Sequence, residues 1–209
     1  MKKYRMFFRF EKEEAWLNEL AAEGWCFMGR TFWGNYIFEK DEPNPSDNIR
    51  IDFRQFNKKD DFREYIQLFS DNGWSHIYGT KYSGWQYFAP IKADAPEDIF
   101  SDNASKAGRY HRLCAFWLSL FVVYTSLFAV NIFNNADDPT TIFRPKELYY
   151  TPGLWEMTGS SFWRAFLFET PFALGRGFAG LFEIVVLGLC LYFVVRSYIE
   201  GKKTKLERG

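Results

Sequence analysis

Residue chemistry leaves few ways to build a catalytic centre in this chain. Its 209 residues include two histidines, His76 and His111, and three cysteines, Cys26, Cys114 and Cys190. Neither histidine stands near a nucleophile, a cysteine or an acidic pair at ligand spacing. The cysteines are too scattered for a metal knuckle or a disulfide framework, and read as buried thiols. His76 falls in a predicted strand as a half-buried histidine, and His111 beside Arg112 marks the edge of an apolar run. Gly175-Arg176-Gly177-Phe178-Ala179-Gly180 matches the dinucleotide fingerprint. That fingerprint works only as a turn between a buried strand and a helix, whereas this copy opens an apolar run, where small residues let helices approach closely. The expectation is no enzyme, no cofactor and no metal.

Binding chemistry is better represented. Of the first 90 residues, 22 are Phe, Trp or Tyr. Trp33, Tyr36, Tyr82 and Trp85 flank two predicted hairpins; the first reading is simple core packing, and the functional alternative is that they line a groove for a hydrophobic or cationic small molecule. Arg5, Arg9, Arg50 and Arg54 make a basic face if the two opening strands are neighbours, suited to an acidic protein segment or lipid headgroups; otherwise they are a solvated face with cross-strand ion pairs. Glu183 lies inside an apolar run, where a carboxylate costs roughly 2.5 kcal/mol or more and needs a partner. Arg176, two turns earlier, is one such partner, with Glu183 a boundary or protonated structural residue; the functional alternative is a polar contact to another membrane subunit or a proton-sensitive switch. Formal net charge is zero, with 16 Lys and Arg against 18 Asp and Glu up to residue 110 and 10 against 8 beyond it. No concentrated basic surface exists for phosphates, so nucleic acid is not expected as a partner.

Two apolar runs must carry these residues. Leu113 to Phe133 is 21 residues without a formal charge, enough helix for about 30 Å of hydrocarbon. The second run is Phe178 to Val195, and extending it back to Phe172 and on to Tyr198 gives a comparable span containing Arg176, Glu183 and, near its end, Arg196. Lys106, Arg109 and Arg112 precede the first run, and Arg196, Lys202, Lys203, Lys205 and Arg208 follow the second, which places both termini in the cytoplasm of a multi-pass cell-membrane protein. Met1 to Phe10 has no apolar segment of signal-peptide type. The expected parts are a cytoplasmic α+β domain at 1–90, a linker at 91–112, transmembrane helices at 113–133 and 172–198, an extracytoplasmic loop at 134–171 and a basic tail at 199–209. In the loop, Asp138-Pro139 and Thr151-Pro152-Gly153 signal turns, while Ser161 to Phe168 reads as loop or as a short interfacial helix, with Trp155, Phe162 and Trp163 in the aromatic belt.

The front domain reads as a duplication. A shift of 49 positions lays Trp16 on Tyr65, Leu20 on Phe69, Gly24-Trp25 on Gly73-Trp74, Thr31 on Thr80 and Tyr36 on Trp85 without a gap. Each unit, 1–41 and 49–90, opens with an alternating strand: Tyr4 to Phe10, with Tyr4, Met6, Phe8 and Phe10 inward, and Ile49 to Phe56, with Ile49, Ile51 and Phe53 inward. A helix follows, with stripes Trp16, Leu17, Leu20, Ala21 and Phe62, Tyr65, Ile66, Phe69. Asn57 is the expected N-cap of the second helix. Both helices stop at Gly-Trp, where glycine adopts the left-handed conformation and the aromatic folds back. Two short strands close each unit through the small residues Gly34-Asn35 and Ser83-Gly84. The pair is predicted to form one antiparallel sheet with both helices on one face, joined by a linker over Asp41 to Asn48.

With the repeats, the Gly-Trp stops and the two spans together, the chain resembles the bacterial DUF2812 family of membrane proteins, often encoded beside PadR-type regulators. Phe8-Arg9-Phe10, Glu23-Gly24-Trp25 and Asn72-Gly73-Trp74 carry the resemblance, and the tail is alike in kind. It implies no established activity. The tandem unit is also similar in fold to GyrI-like effector-binding domains, which hold drug-like ligands in an aromatic cleft between repeats; their acidic ligand-binding residue has no matched position here. The expected function is a non-enzymatic sensor or regulatory adaptor in the lipid bilayer, binding a membrane or cytoplasmic protein partner or a hydrophobic ligand. The alternative is an accessory subunit of a membrane transporter, with Glu183 toward its partner.

Overall fold

The computed structural model describes residues 1–31, 33–41, 48–91, 96–134 and 144–206. The linker at 42–47 and the Asp138-Pro139 turn lie outside them. The chain is α+β and divides into two units, Met1–Leu113 with Ser197–Gly209, and Cys114–Arg196. In the first unit the order is β1 (Lys2–Tyr4), α1 (Phe10–Ala22), β2 (Trp25–Arg30), β3 (Asn35–Lys40), β4 (Arg50–Phe53), α2 (Lys59–Asp71), β5 (Trp74–Tyr78) and β6 (Trp85–Pro90). Strand-helix-strand-strand occurs twice. Each set closes an antiparallel sheet with its last strand central, β1-β3-β2 and β4-β6-β5.

Backbone hydrogen bonds thus join the strands as two three-stranded sheets, where one sheet was expected. The ladders of β2 and β5 slip at Phe27/Gly29 and His76/Tyr78, and such bulges bend a strand away from regular pairing. Side chains meet there: the Tyr78 hydroxyl donates to the Arg30 carbonyl. Its ring lies against Gly29, at φ 152°, where an added Cβ would come within 2.7 Å of it.

The helical stripes fall as their spacing predicts. Trp16, Leu17, Leu20 and Ala21 of α1 are buried, and Phe62, Ile66 and Phe69 of α2 pack with Tyr65 against Phe56, Trp74 and Phe88. Gly73, at φ 85°, ends α2 in the left-handed conformation, and Trp74 drops into the core at 1% exposure. Asn57 does not cap: α2 begins at Lys59 with Lys58 as N-cap and no side-chain cap bond, its first turn supported by Asp60 and Asp61 against the helix dipole.

The opening strand is the largest departure in this unit. It ends at Tyr4 instead of running to Phe10. Tyr4, Met6 and Phe8 are exposed, whereas Phe7 turns inward onto Trp16, with ring centroids 5.3 Å apart. Both phases of the alternation carry an aromatic, so a one-residue change of phase exchanges the faces at little local cost. Phe10 is buried as the first residue of α1, against the Tyr110 ring.

Two helices complete the chain, α3 (Asn103–Asn134) and α4 (Gly159–Leu206, with Pro171 inside it). Both are long and apolar enough to span a membrane, and only 6% of the most apolar stretch of each is buried, unlike the core helix of a soluble protein. This points to membrane association. Helix α3 starts ten residues before the apolar run, its first turn capped by Asp102, which accepts the Ser105 N–H at 2.8 Å. Helix α4 absorbs Ser161 to Phe168, so that stretch is neither loop nor separate helix. Within the second unit Trp117 stacks on Phe193 at 4.5 Å, Cys114 Sγ lies 3.6 Å from the Val194 carbonyl, and Trp155 joins Tyr149, Phe162 and Phe166.

Candidate functional site

Among the described residues of the first unit, four carboxylates are withdrawn from water: Glu13, Glu14, Asp52 and Glu200, each under 5% exposed. On α1, Glu13 precedes Trp16, Leu17 and Leu20 by three, four and seven residues, in phase with the apolar stripe, so the helix carries it into the core. Glu13 Oε1 accepts hydrogen bonds from the Tyr36 hydroxyl at 2.7 Å and the Tyr87 hydroxyl at 2.6 Å. Tyr36 stands on β3 and Tyr87 on β6, the central strands of the two sheets, so one carboxylate ties both together. Phe27 packs against Tyr87 with ring centroids 4.8 Å apart. Arg30 Nη1 is 4.0 Å from the same oxygen, and its guanidinium lies over the rings of Tyr36 and Trp85.

Burial raises the Glu13 carboxyl above its ordinary value, outweighing the two hydroxyls and Arg30, which pull it down. Burial, then the Glu13 charge, likewise pushes up the Tyr87 hydroxyl. A folded-state value above the unfolded one means that the native protein holds this proton more tightly. The stability it contributes is therefore full in acid and is lost as pH rises from the ordinary glutamate range through the raised value. Glu13→Gln keeps an acceptor for both hydroxyls without the charge. It is expected to melt above the wild type at pH 8 and to converge with it at pH 4, in thermal unfolding of the full chain in detergent; a wild type more stable at pH 8 would show that the charge stabilises the fold.

The second carboxylate fastens α3 to the domain. Glu14 Oε1 accepts the Ile51 N–H at 3.0 Å and Arg109 Nη1 at 2.5 Å. Arg109, completely buried, also donates to the Ile51 carbonyl at 2.7 Å and to Glu11 at 2.8 Å, and lies over the Phe10 and Phe100 rings. The Tyr110 hydroxyl donates to Glu11 at 2.7 Å and accepts the Phe10 N–H. Burial alone would raise the Glu11 carboxyl, but Arg109 and that hydroxyl hold it below its usual value. Arg112 donates to the Phe53 carbonyl at 2.6 Å and to Asp52, which also receives the Tyr65 hydroxyl at 2.8 Å. Among the described residues, strand β4 pairs only with β6. Its other edge, at Ile51 and Phe53, is covered by these side chains of α1 and α3, which meets backbone groups that an open edge strand would leave for another chain. Arg9 extends the network from Glu11 to buried Glu200 near the end of α4, 3.3 Å away.

The residues singled out from sequence are only partly gathered. Tyr36 and Trp85 share the Arg30 guanidinium, whereas Trp33 and Tyr82 lie in the turns after β2 and β5, 79% and 69% exposed. The basic face does not form. Its strands β1 and β4 lie in different sheets, and each arginine is engaged separately. Arg5 lies over Phe7 and Trp16, Arg9 meets Glu11 and Glu200, Arg50 meets the Glu97 carbonyl and Asp98, and Arg54 lies over Phe56 and Tyr65. His76 bonds Gln86 at 2.9 Å between Phe62 and Phe88, and burial lowers its pKa. Glu183 lies in α4. Arg176 turns instead to Glu169 and to the Leu148 carbonyl, which accepts its Nε–H at 2.9 Å. Gly177 sits against Leu148, whereas a Cβ at Gly175 would meet nothing within 4 Å. Among the described residues no three His, Cys, Asp or Glu side chains are placed to hold a metal ion.

These features define an α+β domain of two strand-helix-strand-strand sets, fastened by buried ion pairs to a helix that continues as an apolar stretch of membrane-spanning length. The model of the DUF2812 family, proteins of unknown function, matches residues 9–122. The chain belongs to that family. The matched segment takes in Glu13, Glu14, Arg109 and Arg112, so the fastened helix is part of the family's unit. Comparison with curated proteins gives no match, and neither does comparison with solved structures.

Proposed function

We propose that this protein is a non-enzymatic, membrane-anchored sensor or regulatory adaptor. Its front domain and both termini are cytoplasmic, and the domain binds a protein partner or a hydrophobic ligand and passes that state to the spans. The observation that carries this reading is the burial of Arg109. A passive tether requires no charge in the core, whereas this guanidinium locks the first turns of α3 to both strand-helix sets. Any change in the packing around Glu14 and Ile51 is therefore felt by the helix that continues as the apolar stretch. The flanking Lys and Arg support the cytoplasmic placement.

Glu14→Gln tests the coupling, because its amide oxygen still accepts the Ile51 N–H while the ion pair is lost. In a chain with Cys26 and Cys190 replaced by Ser, in lipid vesicles, Cys114 is expected to be alkylated severalfold faster in Glu14→Gln than with Glu14 present. Equal rates with a folded domain would reduce α3 to a tether and remove the sensor reading.

A further inference from the structure

We propose that the Arg30 guanidinium is a displaceable internal occupant of an organic-cation site, and that a small monovalent organic cation binds by taking its place. The walls are the ring faces of Tyr36 and Trp85, 5.2 and 5.6 Å from the guanidinium carbon, and the Glu13 carboxylate stands behind it at 4.0 Å. Aromatic faces beside a desolvated carboxylate are the chemistry that selects alkylated or delocalised cations over hydrated metal ions.

Three observations separate Arg30 from a structural ion pair. Its contact to Glu13 is too long for a direct hydrogen bond, whereas buried Arg109 holds its carboxylates at 2.5 and 2.8 Å. Its side chain is 25% exposed at the end of β2, so it can swing out without breaking a ladder, while the Glu13 side chain remains at 3%. Glu13 accepts the Tyr36 and Tyr87 hydroxyls in bonds that do not include Arg30, so on this proposal the vacated place keeps an oriented carboxylate. The inference deepens the sensor reading by naming a ligand class, and rests on it only for what binding does to the helices.

The test is calorimetric titration of the full chain in detergent with ethylguanidinium chloride and tetramethylammonium chloride, sodium chloride serving as the ionic-strength control. Arg30→Ala is expected to bind these cations about tenfold tighter than the wild type, and adding Glu13→Gln is expected to return that gain. No tightening in folded Arg30→Ala, or a gain that survives Glu13→Gln, overturns the proposal. Should Arg30→Ala not fold alone, ethylguanidinium is expected to restore folding, and failure to do so overturns it equally. Binding that leaves Cys114 alkylation unchanged keeps the site and removes the sensor reading; absence of binding removes the site and leaves the Glu14→Gln result untouched.

Discussion

Arg109→Leu is expected to destabilise the front domain by about 3–5 kcal/mol, the range for removing one partner of a buried ion pair. The loss comes from what remains: Glu14, 4% exposed, is left with the Ile51 N–H, and the Ile51 carbonyl loses its donor on the edge of β4 opposite β6. Arg109→Lys keeps the charge but not the planar fork that serves Glu14, Glu11 and Ile51 together, so it should fall between the two. Unfolding of the full chain in detergent, followed by near-ultraviolet circular dichroism, measures the difference. A loss within about 1 kcal/mol, the value of an exposed pair, would mean that the network is decorative. Pairing Arg109→Leu with Glu14→Leu should recover part of the loss, because no charge is then left buried without its partner.

Trp74 provides the second large effect, through packing alone. It is 1% exposed within the cluster of Phe56, Tyr65 and Phe88, so Trp74→Ala should cost about 3–5 kcal/mol. Trp74→Phe should cost under about 1.5 kcal/mol, because the indole Nε1 is buried with no hydrogen-bond partner among the described residues. Phenylalanine removes that unsatisfied donor, which offsets part of the lost area. Equal losses in both variants, measured by the same unfolding, would show that the indole N–H is satisfied after all.

The pH dependence expected of Glu13 belongs with these effects. A charge that lowers stability at neutral pH survives where it serves something other than folding, and the proposed cation site at Tyr36, Trp85 and Arg30 offers that use. Half of this group was legible: Tyr36 and Trp85 stood out as aromatics at equivalent places in the two sets. Glu13 and Glu14 were also within reach, because both fall in phase with Leu17 on α1, but charged residues are seldom taken as inward-facing. Arg30 carried no local signal, since a lone arginine at the end of a strand looks solvated until its neighbours are known. The basic face of Arg5, Arg9, Arg50 and Arg54 failed for the converse reason. Its premise was that β1 and β4 are neighbours, and strand order is a long-range property that alternation cannot report.

Local pattern was enough to give each set the order strand, helix, strand, strand, though not to end the first strand at Tyr4, and to show where α2 stops at Gly73 and that two helices are apolar enough for a membrane. These depend on side-chain period, on glycine's access to positive φ and on the cost of exposing hydrocarbon to water, all properties of neighbouring residues. Tertiary structure alone decided that Arg109 crosses some 95 positions of chain to reach Glu14, that Glu13 bridges two separate sheets, and that Arg176 chooses Glu169. A buried charge takes whichever partner the packed backbone brings within hydrogen-bond reach, and that distance exists only once the chain has folded.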